Sequence, residues 1–244
     1  IVLLKVLKNN RVKKLTKDFL SPKFLYLRNI FFQSMPISVS ICGYALASAI
    51  IFTYVGQSGE YAVAGYGVGT RIEQVVLLPI LGINTAIISI IAQNYGANNF
   101  NRIKETYFTA IKYAFIIMIT AGTLVFLSAN IITSFFSSDP EVIEYGKRYL
   151  RISAFVLPAY PVFFLSNGFF MALKKSENAM ISNLFRNVLN PIVVFYIAKY
   201  FNASFDTFFW TWVGINWFFS ISYFFIILYY FKSRLDKSSA VVHP

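Results

Sequence analysis

The feature that most constrains this chain is an apolar stretch from about Ala62 to Ala92 that contains a single carboxylate, Glu73. About 20 apolar residues are enough to cross the roughly 30 Å hydrocarbon core of a bilayer. The stretch would form a helix of roughly 46 Å, so it must tilt, bend at Pro79 or begin outside the membrane. Because a charge in such a segment is costly, Arg71 and Glu73 need specific surroundings.

The composition of the whole chain supports several membrane crossings. Of the 244 residues, 57% are hydrophobic and only 13% are charged, whereas ordinary soluble domains carry about 25% charged residues. The net charge of +12 does not indicate nucleic acid, because most basic residues lie between or outside the apolar stretches. We therefore expect an all-α polytopic membrane protein with no nucleic-acid partner.

Six apolar segments are long enough to be transmembrane helices, and polar or turn-like segments separate them. The predicted spans cover approximately residues 30–55, 62–92, 106–132, 150–173, 179–200 and 208–231. Between the third and fourth spans, the sequence Ser138-Asp139-Pro140 predicts the start of a short surface helix.

The six spans suggest one unit flanked by polar ends. We interpret residues 29–231 as a six-helix lobe, residues 1–28 as a cytoplasmic linker and residues 232–244 as a cytoplasmic tail. Residues 1–4 are apolar and resemble the end of an earlier span. Because the chain begins with Ile rather than Met, we expect it to be a piece of a longer protein.

The distribution of basic residues predicts the orientation. Six spans place both ends of the chain on the same side of the membrane. That side holds most of the lysines and arginines, whereas the loops of the opposite side hold only Lys147, Arg148, Arg151 and Lys199. Because cytoplasmic loops are rich in Lys and Arg, we expect both termini to lie in the cytoplasm and the protein to lie in the plasma (inner) membrane.

The sequence contains few residues that could perform catalysis. It has one cysteine, Cys42, and one histidine, His243, so it lacks a disulfide pair, a thiol metal cluster and a triad within the spans. An intramembrane hydrolase or acyltransferase would need a paired nucleophile and base. We therefore expect no enzyme activity, no catalytic residue, no metal site and no cofactor.

Two interpretations of Glu73 remain open. Glu73 lies about 30 Å along the helix from Gln93, so it could be a carboxylate at the outer membrane interface. Alternatively, it is a protonatable or cation-binding group in a water-filled cavity, together with Asn84, which is eleven residues later and almost eclipsed with it. Arg71 lies about 200° around the helix from Glu73, so the two cannot pair on one face.

The fifth span contains a second polar group. Arg186, Asn187 and Asn190 are close enough on a helix to line a wet cavity, although Arg186 could instead extend to the lipid headgroups. Prolines within the spans predict bends, which often line the substrate path of transporters. The bend candidates are Pro36, Pro79, Pro158, Pro161 and Pro191.

Residues 65–99, GYGVGTRIEQVVLLPILGINTAIISIIAQNYGANN, resemble a helix of the multidrug and toxic compound extrusion (MATE) transporters. In that family, the second helix of the carboxy-terminal lobe has a glycine-rich start, an Arg-x-Glu pair, a proline and a Gln-Asn-x-Gly-Ala ending. Met35-Pro36, Ser138-Asp139-Pro140-Glu141-Val142 and Asn167-Gly168 extend the resemblance along nearly the whole chain.

The resemblance implies a transporter of twelve helices in two six-helix lobes, which exchanges drugs and other organic cations for protons or sodium. It implies alternating access, in which the lobes rock between inward-open and outward-open states. This chain would be the carboxy-terminal lobe. Its partners would be the missing amino-terminal lobe, membrane lipids and small-molecule organic cations.

The chain departs from the family pattern at two positions. Some members bind sodium with carboxylates where this chain has Tyr44 and Tyr160, so the resemblance implies that this sodium site is absent. Other members couple transport through an aspartate of the first lobe, so the resemblance implies that coupling would rest on the missing half, with Glu73 as a secondary candidate. The candidate cavity or substrate residues are Tyr44, Arg71, Asn84, Tyr160, Asn167, Arg186, Asn187 and Asn190.

A lipid-linked saccharide flippase of the same superfamily is the alternative function. Such a protein would need several cationic side chains in its cavity to hold a pyrophosphate. Only Arg71 and Arg186 qualify in this sequence.

Overall fold

A computed structural model describes residues 24–235, and this part of the chain is helical with short turns. The helices are α1 (Phe24–Gly56), α2 (Glu60–Gly96), α3 (Phe100–Phe136), α4 (Pro140–Ser153), α5 (Tyr160–Ala172), α6 (Ser176–Leu184), α7 (Asn190–Tyr200) and α8 (Phe205–Tyr230). A 3-10 turn, Leu157–Ala159, precedes α5, and π-helical turns form Phe185–Leu189 before α7 and Phe231–Leu235 after α8. Most of the predicted linker and tail lies outside the described residues.

Five helical segments in the described part of the chain are long and apolar enough to cross a membrane. We call these segments rods and number them in chain order. They are Glu60–Gly96, Phe100–Phe136, Pro140–Ala172, Ser176–Tyr200 and Phe205–Ser233, and α1 adds the shorter apolar segment Cys42–Gly56. Large apolar side chains such as Leu127 and Phe135 are exposed, as expected for a surface that contacts lipid. The prediction of an all-α polytopic membrane protein is confirmed.

The segment predicted to be a separate surface helix is the first half of the third rod. α4 begins at Pro140, and the side chain of Asp139 accepts a hydrogen bond from the Glu141 N–H at 2.9 Å. The sequence cue therefore marked the helix start, and Glu141 and Glu144 on one side of the helix are exposed. One face of α4, including Val142 and Leu150, is buried, because α4 packs on α2 and α3.

α2 is the centre of the bundle and has extensive contacts with α3, α4 and α5. Its 37 residues correspond to about 55 Å of helix, longer than the hydrocarbon core. The crossing with α4 requires Gly65, because a Cβ there would lie 2.7 Å from the backbone N of Gly146. One turn later, the ring of Tyr149 fills the space beside Gly69. Small residues four apart permit this close helix approach.

Three of the predicted bend prolines coincide with interruptions of regular α-helix. Pro158 lies in the 3-10 turn, Pro161 lies in the first turn of α5, and Pro191 lies in the first turn of α7 after the π-helical turn. Proline suits a first helical turn because the missing N–H has no partner there. α2 continues through Pro79, and position 36 lies within α1.

Buried side chains form two clusters along the bundle. The first contains Tyr66, Tyr149 and Tyr160, and the second contains Tyr107 and Phe169 nearer the other end of α2. The tyrosines of the first cluster also surround Glu73. The carboxylate therefore lies against the packed interior of the lobe.

Candidate functional site

Two tyrosines from different parts of the third rod hold Glu73. The hydroxyl of Tyr160 donates to Oε1 of Glu73 at 2.5 Å, and the hydroxyl of Tyr149 donates to Oε2. Both tyrosines are buried, whereas Glu73 is half-buried. An ionised carboxylate only accepts hydrogen bonds, so each of its oxygens has a donor here. The two bonds connect α2 to α4 and α5.

The guanidinium of Arg186 lies beside this unit. Its central carbon is 4.6 Å from the ring centroid of Tyr160 and 4.2 Å from that of Phe163. Its Nε donates to Oδ1 of Asn216 on α8 at 3.2 Å. These are favourable cation–π and hydrogen-bond contacts within the bundle. They support the cavity interpretation of Arg186 over an extension to the headgroups.

A cavity of about 130 Å³ opens beside Glu73. Arg186 and Asn187 line it from the π-helical turn, and Tyr160 lines it from α5. Tyr44 of α1 also lines it and is 59% exposed, so the cavity is not sealed on the α1 side. The volume is enough for several water molecules. The structure thus brings together Glu73, Tyr44, Tyr160, Arg186 and Asn187.

Asn84 and Arg71 do not join this cavity. The side chain of Asn84 packs against Gly168 of α5, where a Cβ would overlap its Oδ1. Eleven residues separate Asn84 from Glu73 by about 16 Å along the helix, so nearly eclipsed side chains lie at different depths. The prediction that Asn84 shares the Glu73 cavity is therefore wrong. Arg71 is exposed on the face of α2 away from Glu73.

Asn167 and Asn190 lie away from the cavity. Asn167 accepts a hydrogen bond from the Tyr223 hydroxyl at 3.1 Å and donates to Oδ1 of Asn183 at 3.4 Å, so it connects α5, α6 and α8. Asn190 is buried, and its amide atoms have no hydrogen-bond partner among residues 24–235. The π-helical turn before Asn190 changes the angular spacing that a regular α-helix predicts. Asn190 therefore does not share the cavity with Arg186 as expected.

Sequence reasoning missed Tyr149, which contacts Glu73 directly. Its segment was expected on the surface, and the two residues are 76 positions apart. The spacing of Gly65 and Gly69 was a usable signal, because it marks the face of α2 that admits a close neighbour. That signal does not identify the neighbour.

The MatE family model matches residues 36–196. The FAD transporter of Shewanella oneidensis is 25% identical over 158 residues, which are 65% of this chain and 35% of that protein. The multidrug export protein MepA of Staphylococcus haemolyticus is 23% identical over 183 residues, which are 75% of this chain and 40% of that protein.

The fold also matches solved structures. A MOP superfamily transporter from Pyrococcus furiosus aligns with a TM-score of 0.82 and 22% identity, covering 96% of this chain and 52% of that one. This likeness concerns the fold. The chain spans about half of that structure and 35–40% of the two curated relatives. Because the family model covers most of its length, this chain belongs to the MatE family.

Proposed function

We propose that this chain is the carboxy-terminal lobe of a multidrug antiporter that exports organic cations by alternating access. The observation that carries the proposal is the carboxylate of Glu73, held by Tyr149 and Tyr160 in an open cavity. MepA is named a multidrug export protein, and this chain covers 40% of it. A second lobe, on the amino-terminal side, would complete the transporter.

We infer that Glu73 is the coupling site and that the proton is its ion. Both carboxylate oxygens accept hydrogen bonds from tyrosine hydroxyls, so a proton on either oxygen acts directly on the contacts that connect the helices. A proton on Glu73 turns one oxygen into a donor. The bond from either Tyr149 or Tyr160 must then weaken or reverse. Protonation would therefore loosen α2 from α4 or α5, which biases the lobe between two conformations.

The charges around the cavity explain how a proton and a cationic drug would exchange. The ionised carboxylate of Glu73 offsets the positive charge of Arg186, which is next to Tyr160. Protonation of Glu73 leaves the charge of Arg186 uncompensated. A cationic drug would then be repelled from the cavity by the like charge of Arg186. Binding of the drug and of the proton would thus be mutually exclusive.

One comparison favours a second candidate, the export of a phosphate-bearing molecule. A relative is named an FAD transporter, and the flippase alternative would also carry a phosphate group. Among the described residues that line the Glu73 cavity, Arg186 is the one cation, and it lies there with a carboxylate. This pairing suits a bound pyrophosphate poorly, so the organic-cation proposal is preferred.

Export of a cationic dye tests the proposal. Cells that express the complete protein are expected to lose preloaded ethidium faster than vector controls and to survive higher dye concentrations. A protonophore should abolish the difference, whereas removal of external sodium should not. FAD in the medium is measured in parallel. FAD release without ethidium export would favour the second candidate instead.

We also infer that the protein lies in the plasma membrane and that both ends of the lobe lie in the cytoplasm. Two exposed positions, one in a turn and one in the first turn of a helix, test this orientation in a Cys42→Ser background. An impermeant maleimide applied to intact cells is expected to label Gln57→Cys, between α1 and α2, but not Asn101→Cys, at the start of α3. Permeabilised cells should show both labelled. Equal labelling of the two positions in intact cells would contradict the topology.

A further inference from the structure

A second, larger cavity of about 590 Å³ lies between α5, α6 and α8. Much of its wall is aromatic, including Phe163, Phe170, Phe185, Phe218, Phe219 and Tyr223. Its volume is within the range of small-molecule sites, about 300–1,000 Å³. Lining residues such as Phe218 and Tyr229 are largely exposed, so the cavity opens on the outside of the described helices.

The charge of this cavity is positive. Among the lining residues within the described range 24–235, only Lys175 and Arg186 are charged. The ammonium of Lys175 donates to the hydroxyl of Tyr230 at 2.7 Å and lies 4.7 Å from the centroid of that ring. Tyr230 thereby holds the ammonium at one end of the cavity. Arg186 lies about 16 Å deeper along the rod, where Asn216 and the rings beside it already hold its guanidinium.

The Lys175 end of the cavity coincides with a basic end of the lobe. Lys174 and Lys232 are exposed at the α5–α6 turn and after α8. These positions lie on the side of the membrane that we infer to be cytoplasmic, because that side holds most of the lysines and arginines. Glu177, in the first turn of α6, is exposed and does not line the cavity. The cavity thus has a cationic rim at the membrane surface and an aromatic interior within the membrane.

We propose that this cavity binds an anionic glycerophospholipid of the cytoplasmic leaflet, with the lipid phosphate at Lys175 and an acyl chain along the aromatic wall. Basic pockets between transmembrane helices on the cytoplasmic side are suited to anionic head groups. Asn178 and Ser182 also line the cavity and supply hydrogen-bond donors for the ester oxygens. Arg186 lines both cavities, but the lipid phosphate would lie at the Lys175 end, so the proposal does not depend on what the transporter exports.

Native mass spectrometry of the complete protein tests the site with two lipids of equal chain length, dioleoyl phosphatidylglycerol and dioleoyl phosphatidylcholine. The native protein is expected to retain the anionic lipid preferentially. Lys175→Gln should lower its retention about fivefold, the effect of one basic residue near an anionic surface. Lys199→Gln is the matched control, because Lys199 is exposed at the opposite end of the lobe; it should change nothing.

A second variant tests the contribution of the cavity to lipid binding separately from that of the Lys175 charge. Ser222→Phe fills the cavity and keeps every charge, and the Ser222 hydroxyl bonds only the Phe218 carbonyl of its own helix, at 2.8 Å. Retention of both lipids should fall in this variant, with an unchanged elution profile in size-exclusion chromatography. Equal retention of the two lipids by the native protein, or equal behaviour of Lys175→Gln and Lys199→Gln, would overturn the proposal.

Discussion

Replacing Glu73 with glutamine is expected to reduce proton-driven dye export by on the order of tenfold, with normal expression. Glutamine keeps the shape of the side chain but cannot take up and release a proton. The amide keeps one oxygen that can accept a hydrogen bond from a tyrosine, whereas its NH2 group cannot accept the other of the two bonds from Tyr149 and Tyr160. The initial rate of ethidium efflux, measured across a range of external pH values, reports the effect. The native rate should depend on pH, and the variant rate should be low and independent of pH.

Glu60→Gln is the matched control for this prediction. Glu60 lies on the same helix, in its exposed first turn. Its replacement removes the same charge without changing the Glu73 cavity. Its efflux should equal that of the native protein. Tyr160→Phe removes one of the two donors to Glu73 but keeps its carboxylate, so it should lower efflux less than Glu73→Gln does. Normal efflux and an unchanged pH profile in Glu73→Gln would mean that Glu73 is a structural carboxylate.

Substituting valine for Gly65 is expected to lower the stability of the lobe. A Cβ at this position would lie 2.7 Å from the backbone N of Gly146 and 2.8 Å from the carbonyl oxygen of Val142. Backbone atoms cannot move aside as a side chain can, so α2 and α4 would have to separate. Overpacking of this kind costs about 1–3 kcal/mol or more, which would lower the Tm by up to about 10 °C. Fluorescence-detected thermal unfolding in detergent measures the shift.

Gly67→Val is the control, because a Cβ at Gly67 meets nothing within 4 Å. The two variants share the same helix, the same added side chain and the same loss of glycine. Only the position relative to α4 differs. Gly67→Val should keep a Tm close to that of the native protein. If both variants unfold at the native temperature, α2 and α4 do not cross at Gly65.

The sequence by itself determined that the chain is a set of membrane-crossing helices. A bilayer requires backbone hydrogen bonds to be satisfied within each segment, so the length and polarity of each stretch are sufficient to predict a helix. The cost of a charge within an apolar stretch likewise identified Glu73 and Arg186 as candidate functional residues. Helical spacing also predicted that the side chains of Arg71 and Glu73 point to different faces of α2. The capping residue Asp139 marked the start of α4.

Only the tertiary structure decided which groups meet. Tyr149 joins Glu73 from a segment that local pattern assigned to the surface, whereas Asn84, on the expected face of α2, packs against Gly168 instead. Each such contact depends on the depth and rotation of two helices relative to one another. Those quantities are set by packing, as where Gly65 lets α4 approach α2, and the pattern within one helix does not contain them.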